Sequence, residues 1–520
     1  MLAAVRSAAV LGIDAFDIIV EVDVTRGLPA FLMVGLPGGE VKESRERVSS
    51  AIANSGFEMP ARRVTVNLSP ADVRKSGTAF DLPIALGILV ATGQVRADAV
   101  AALVTVGELG LDGAIRPVRG ALSVARALRG RDAVTLVVPP ANVGEARRVS
   151  GLALSAPPTL GDLVAQLRRG WLDGHDPGAG GADCGDTDLP SEDFADVAGQ
   201  AAAKRALEIA AAGAHNVMLI GPPGAGKTML ARRLPGILPV LTESEALEVI
   251  AVHSVAGLLT AERLHSPRRP FRAPHHTTSI AGLIGGGSTP RPGEVSLAHH
   301  GVLFLDEMLE APRHVLDALR QPLEDRRVTI ARAAAAICFP AHFTLVGATN
   351  PCPCGRAGDP GAACRCSAAE IERYRARLSG PLADRIDLHV PVGRVPIEAL
   401  GARAEGEGSP AVRARVERAR ALQRARYASL AGVATNGAAP ARWIEAHTGI
   451  VPAARALLVD AANRLHLSAR GFHRVLRVAR TISDLDGADG ISMAAVAEAL
   501  RYRPAEWARA ELGESSAGSP

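Results

Sequence analysis

The stretch Asn216–Leu230 reads NVMLIGPPGAGKTML. Apolar residues run into a glycine-rich turn, and the turn runs into Lys-Thr followed by more apolar residues. This predicts a buried strand, a loop of phosphate size and the first turn of a helix. The eight residues Gly221, Pro222, Pro223, Gly224, Ala225, Gly226, Lys227 and Thr228 fit G-x-x-x-x-G-K-[ST]. The glycines let backbone N–H groups converge on phosphate oxygens at a helix N-terminus. Lys227 is then expected to reach the β- and γ-phosphates, and Thr228 to hold Mg²⁺.

The second half of such a site lies downstream. GVLFLDE, residues 301–307, reads as a buried strand ending in two acids. Asp306 is placed to hold the metal through its shell and Glu307 to polarise the attacking water. HFTLVGATN, residues 342–350, is a third strand. Asn350 at its end either senses the γ-phosphate beside Glu307 or serves as a turn residue before Pro351. Together these motifs predict ATP hydrolysis with ATP and Mg²⁺ as cofactors.

At 520 residues the chain exceeds one core, and its composition divides it. Residues 1–170 alternate strand-like runs such as IIVEVDV and RRVTVNL with helical stretches. Residues 171–193 are rich in Gly, Asp and Pro and read as a linker. Residues 194–395 form a second α/β block with parallel sheet topology, residues 411–510 read as four or five helices, and residues 511–520 read as a disordered tail. The expected fold class is α/β multidomain.

Apolar residues make up 48% and charged residues 22%, the balance of a folded soluble protein. The longest apolar run, near Leu82, is far short of the roughly 20 residues that cross a bilayer. Asp14 and Asp17 interrupt the N-terminal apolar patch before a leader core forms. A cytoplasmic protein without a membrane partner is expected. Net charge is +4, yet residues 411–510 hold 16 Arg against 8 acids, so that block is +8 and the rest sums to 4 − 8 = −4. Arg413, Arg420 and Arg424 recur at helical spacing there, which reads either as a phosphate-binding face or as a solvated face paired with acids.

Four of six cysteines lie in PCPCGRAGDPGAACRC: Cys352, Cys354, Cys364 and Cys366. Two C-x-C pairs can close around a tetrahedral Zn²⁺. Unligated thiols and redox chemistry stay open as alternatives. Cys184 and Cys338 have no such company. His275, His276, His299 and His300 read as turn or hydrogen-bonding residues ahead of a metal role.

The run FRAPHHTTSIAGLIGGGSTPRPGEVSLAHHGVLFLDEMLEAPRHVLDALRQPLEDRRVTIARA resembles the magnesium-chelatase-like AAA+ ATPases, specifically the YifB/ComM branch. The resemblance covers nearly the whole chain. It implies a ring, expected to be a hexamer, with the catalytic site at a subunit boundary and a helical lid as the C-terminal domain. Arg385 in SGPLADRIDL matches the family's arginine finger, and Arg470 in SARGFHRVLRVART its sensor-2 arginine. It also implies a DNA motor, a helicase-like activity in branch migration during recombination and natural transformation. The DNA would be single-stranded or branched and bound without sequence preference. The alternative is a protein-remodelling ATPase, as magnesium chelatase motor subunits are. The N-terminal block resembles the Lon-protease domain, a ribosomal-protein-S5-like fold, in RKSGTAFDLPIALG. Ala79 stands where the nucleophilic serine belongs, and LDGAIRPVRGALSVARALRG holds no lysine, so that domain is expected to be non-catalytic.

Overall fold

The computed structural model describes residues 1–131, 133–170, 172, 174–175, 192–287, 290–332, 335–358, 363–395 and 406–503. Most of the expected linker, the expected tail and Cys184 lie outside the described residues.

The N-terminal part is built on eight strands: β1 (Leu2–Leu11), β2 (Asp14–Thr25), β3 (Ala30–Val34), β4 (Arg63–Ser69), β5 (Leu103–Thr105), β6 (Thr135–Val137), β7 (Ala153–Ser155) and β8 (Gly174–His175). Their order is β8-β7-β6-β5-β1-β2-β4-β3. Alternation sets the faces: in β2, Ile18, Val20 and Val22 are buried while Asp17, Ile19 and Glu21 turn outward or to the margin. The helix Asp81–Ala91 lies on that apolar face, and all of its residues are buried. Its unbroken apolar run therefore belongs to a core helix.

The second part carries β9 (Val217–Ile220), β10 (Phe271–Arg272), β11 (Val302–Leu305), β12 (Thr344–Thr349) and β13 (Leu388–Pro391), in the order β10-β11-β12-β9-β13. Every neighbouring pair is parallel. Helices cover both faces of a sheet of this kind, which explains why β12 is buried at all six positions. A parallel sheet also places all C-terminal strand ends on one edge, where loops converge.

The C-terminal part is helical: Ser409–Arg426, Ala441–His447, Pro452–Arg464, Ala469–Leu485 and Met493–Arg501. It shares one apolar core with the nucleotide sheet, in which Leu230, Leu234 and Ile237 meet Val412, Val416 and Val475. Two of the three arginines at helical spacing serve this packing. Arg413 donates from Nε and Nη2 to the Gly236 carbonyl at 2.9 and 2.7 Å, and Arg420 donates to the Ala211 carbonyl at 3.0 and 2.8 Å. Both carbonyls lie in the last turn of a helix, where unpaired C=O groups attract cations. The phosphate-binding face read from the spacing is thereby corrected for these two residues, and Arg424 alone of the three is exposed.

The N-terminal part docks on the helix Glu243–Ala256. Ser254 Oγ donates to Glu145 Oε2 at 2.5 Å and accepts from the Gly120 N–H at 3.0 Å, while Ile250 and Ala251 complete the apolar core around Leu122 and Leu136.

Candidate nucleotide site

β9 ends where the glycine-rich loop begins. A Cβ on Gly221 would lie 2.1 Å from the Val392 carbonyl oxygen, so only glycine lets the loop leave the sheet beside β13. Gly226 has φ +86°, a left-handed conformation that turns the loop into the helix Lys227–Ile237. Lys227 opens this helix. Its ammonium donates to the carbonyls of Gly221 at 2.6 Å and Pro222 at 3.0 Å and to Asn350 Oδ1 at 3.2 Å. Burial lowers its pKa, and the charges of Asp306 and Glu307 oppose that shift.

Two strands away, β11 delivers the acids. Thr228 Oγ1 donates to Asp306 Oδ2 at 2.7 Å, and the Glu307 N–H donates to Asp306 Oδ1 at 3.0 Å. Glu307 has φ +48°, a backbone state uncommon for a residue with a Cβ, and it holds the carboxylate out from the strand end, 56% exposed. β12 lies between β11 and β9, so Asn350 emerges between the acids and the loop. The arrangement fits ATP and Mg²⁺: a hydroxyl and a carboxylate lie side by side, an ammonium stands next to them, and the loop face is open, with nothing within 4 Å of a Cβ on Gly224 or Gly226.

His276 Nδ1 lies 3.7 Å from Glu307 Oε2. The register explains this: Phe271 pairs with Val302, and His276 and Glu307 lie the same distance along the chain from that pair, 276 − 271 = 307 − 302 = 5 residues. His276 sits in a turn, as expected for a turn or hydrogen-bonding residue, and its nearness to Glu307 comes from β10, too short a strand to be predicted from sequence.

Arg385 and Arg470 stand at the other edge of the sheet. Asn216, which precedes β9, donates from Nδ2 to the Arg385 carbonyl at 2.8 Å and from its backbone N–H to Asp387 Oδ2 at 3.1 Å. Arg470 donates to Asp384 Oδ2 at 3.4 Å and is 70% exposed, while Arg385 pairs with Glu324. A four-residue strand spans about 13 Å, so the sheet itself separates these guanidinium groups from the loop of the same chain.

Cys352, Cys354, Cys364 and Cys366 present their sulfurs within 4.8 Å of one another. Glu248 Oε2 meets His299 Nε2 and His300 Nε2, each at 2.9 Å. His299 Nδ1 accepts the His342 N–H at 3.0 Å, which leaves the ring proton on Nε2, pointing at the carboxylate. That is a hydrogen-bonding role for the His299–His300 pair. In the N-terminal part, the buried Lys75 donates its ammonium to the Pro70 carbonyl and Thr78 donates to Glu108, so the two are not paired as base and nucleophile.

Three family models match the chain in succession: Subunit ChlI of Mg-chelatase on residues 20–142, Magnesium chelatase, subunit ChlI, on residues 193–400, and Magnesium chelatase, subunit ChlI C-terminal, on residues 406–503. Competence protein ComM of Haemophilus influenzae is 43% identical over 518 residues, covering 96% of this chain and 97% of that protein. The chain belongs to the YifB/ComM family. An uncharacterized protein of Mycobacterium tuberculosis is 45% identical and Uncharacterized protein YifB of Escherichia coli 42% identical, each covering 96% of this chain and 97% of its own length. As a YifB/ComM member the chain is a magnesium-chelatase-like AAA+ protein of α/β multidomain fold, and the loop, the acid pair and Asn350 fall within the second matched stretch. Among the described residues, no helix is long and apolar enough to cross a membrane.

Proposed function

We propose that the chain is an ATP hydrolase whose sites are completed between copies in a ring, and that the ring works on DNA. One observation carries this reading: Lys227, Thr228, Asp306, Glu307 and Asn350 share one edge of the sheet, and Arg385 and Arg470 stand at the opposite edge. Because both arginines lie at the opposite edge among the described residues, the site would take its arginine from a neighbouring copy. When bound, Mg·ATP would supply the γ-phosphoryl group and, through the metal, positive charge against the phosphates, with Thr228 and Asp306 the residues that would hold the ion. Lys227 neutralises phosphate charge, Thr228 and Asp306 orient the metal shell, Glu307 draws a proton from water, and Asn350 fixes the geometry between them. Arg385 and Arg470 of one copy then face the phosphates of the next. A guanidinium so placed is worth a factor of about 10³ to 10⁵.

The DNA reading rests on the family resemblance: likeness to the relative named a competence protein runs the length of both chains. Single-stranded or branched DNA gripped without sequence preference suits a motor in branch migration. In this reading residues 1–170 are a Lon-protease-like domain without its peptidase pair, residues 194–395 the ATPase core and residues 411–510 the helical lid. The ring is a hexamer in the cytoplasm, ATP and Mg²⁺ are the working cofactors, and Zn²⁺ occupies the four-cysteine cluster. The test is ATPase rate with and without single-stranded and branched DNA, alongside strand exchange on a four-way junction. Stimulation by DNA supports the motor. A response to a protein partner and none to DNA transfers the support to protein remodelling.

A further inference from the structure

The four-cysteine loop is set against the nucleotide loop. Sulfur separations are 3.4 Å for Cys352 to Cys354, 3.7 Å for Cys352 to Cys364 and 3.6 Å for Cys354 to Cys364. Four thiolates at about 2.3 Å from a central Zn²⁺ form a tetrahedron with edges of about 3.8 Å, whereas a disulfide needs about 2.05 Å. Three of the sulfurs thus lie at tetrahedral spacing, the Cys366 sulfur lies within 4.8 Å of each of them, and no pair is bonded. A backbone donor faces one of them: the Ala357 N–H donates to Cys352 Sγ at 3.3 Å, the kind of contact that supports a metal-bound sulfur. Cys352 is fully buried and follows Asn350 by two residues.

Gly355, which directly follows Cys354, makes the junction. It has φ +76°, and a Cβ there would lie 2.7 Å from Pro223 Cδ and 3.8 Å from Asn350 Cγ. Pro223 is the third residue of the phosphate loop, and Asn350 accepts from Lys227. The cysteine turn therefore packs so closely against the phosphate loop that a side chain at Gly355 would clash with Pro223, and Asn350 borders the same space.

We propose that Zn²⁺ held by Cys352, Cys354, Cys364 and Cys366 makes this turn a rigid stop that fixes Asn350 and Pro223 for nucleotide binding. The proposal rests on zinc occupancy of the cluster and adds its consequence: nucleotide affinity depends on zinc. Without the ion, only weak S–H contacts join the four sulfurs, so the Gly355 turn loosens and Asn350 loses its fixed place beside Lys227.

The test uses the full-length protein. Elemental analysis is expected to find one zinc per chain, retained in Cys338→Ser and lost in the double variant Cys364→Ser/Cys366→Ser. Affinity for a fluorescent ATP analogue is then measured before and after chelation of the wild-type protein, with circular dichroism to verify the fold and ZnCl₂ added back. Chelation is expected to weaken binding about tenfold, the scale on which supporting contacts act at metal sites, with recovery on re-addition. Gly355→Ala, which keeps all four thiols, is expected to retain zinc and still weaken binding. Absence of zinc, with no uptake from added ZnCl₂, overturns the metal site itself. Stoichiometric zinc with affinity unmoved by chelation and by Gly355→Ala overturns the stop and leaves the metal site standing.

Discussion

The ammonium of Lys227 donates to Asn350 Oδ1 at 3.2 Å, tying the phosphate loop to the end of the neighbouring strand β12. The same ammonium donates to the carbonyls of Gly221 and Pro222, so the loop's one cation is held in place by the loop itself. Lys227→Ala removes charge from the phosphates and unties Asn350. ATP turnover is expected to fall by at least about 10²-fold, the scale of losing one aligned donor to transition-state charge. The melting temperature is expected to hold, and steady-state phosphate release with calorimetry checks both.

Glu307 is held out from its strand by a left-handed backbone and faces His276 at 3.7 Å. Glu307→Gln keeps the shape and removes the proton acceptor. Hydrolysis is expected to fall by about 10² to 10⁴-fold, the usual range for a general base, with ATP binding retained so that nucleotide stays trapped. Normal turnover by this variant removes the role assigned to the acid.

The C-terminal helices are joined by a buried ion network. Asp484, with its carboxylate fully buried, accepts from Arg480 Nη2 at 2.7 Å, from Arg426 Nη1 at 2.8 Å and from Asn436 Nδ2 at 2.8 Å. Asp484→Ala leaves two guanidinium groups without their anion, and removing one partner of a buried pair costs about 3 to 5 kcal/mol. A lower denaturant midpoint, followed by helical circular dichroism, is the expected outcome.

Stability is expected to fall in acid through three histidines. Burial holds His253 at about 4, His342 at about 2 and His389 at about 3, each below the ordinary 6.5. Between those values and 6.5 the unfolded chain binds more protons than the folded one, so stability rises with pH across that window and is lost on acidification below about 6.5. Each histidine contributes up to about 1.4 kcal/mol per pH unit there. Melting temperatures recorded from pH 8 to pH 4.5 should be flat above pH 7 and fall below it; a flat profile throughout contradicts the assignment of neutral buried rings.

The loop and acids were legible in the sequence because phosphate chemistry tolerates few residue types at that spacing. The apolar runs of β9, β11 and β12 were legible because a parallel sheet is buried on both faces. Arg413 and Arg420 were misread because helical spacing alone does not distinguish a solvated face from cations capping helix C-termini. The nearness of His276 to Glu307 was missed because it arises from register between two strands, one of them very short. The placement of Arg385 and Arg470 on the far edge of the sheet needed the topology, since sequence separation says nothing about which end of a strand a turn adjoins.

The claim that neighbouring copies complete each other's sites is tested most directly by mixing two inactive variants. Lys227→Ala keeps Arg385 and loses its own loop, while Arg385→Ala keeps its loop and loses what it offers a neighbour. Each alone is expected to hydrolyse ATP weakly, and an equimolar mixture to recover activity at about a quarter of its interfaces, as random assembly of a closed ring gives. A mixture no more active than its components, or an Arg385→Ala protein turning over at the full wild-type rate, contradicts the account.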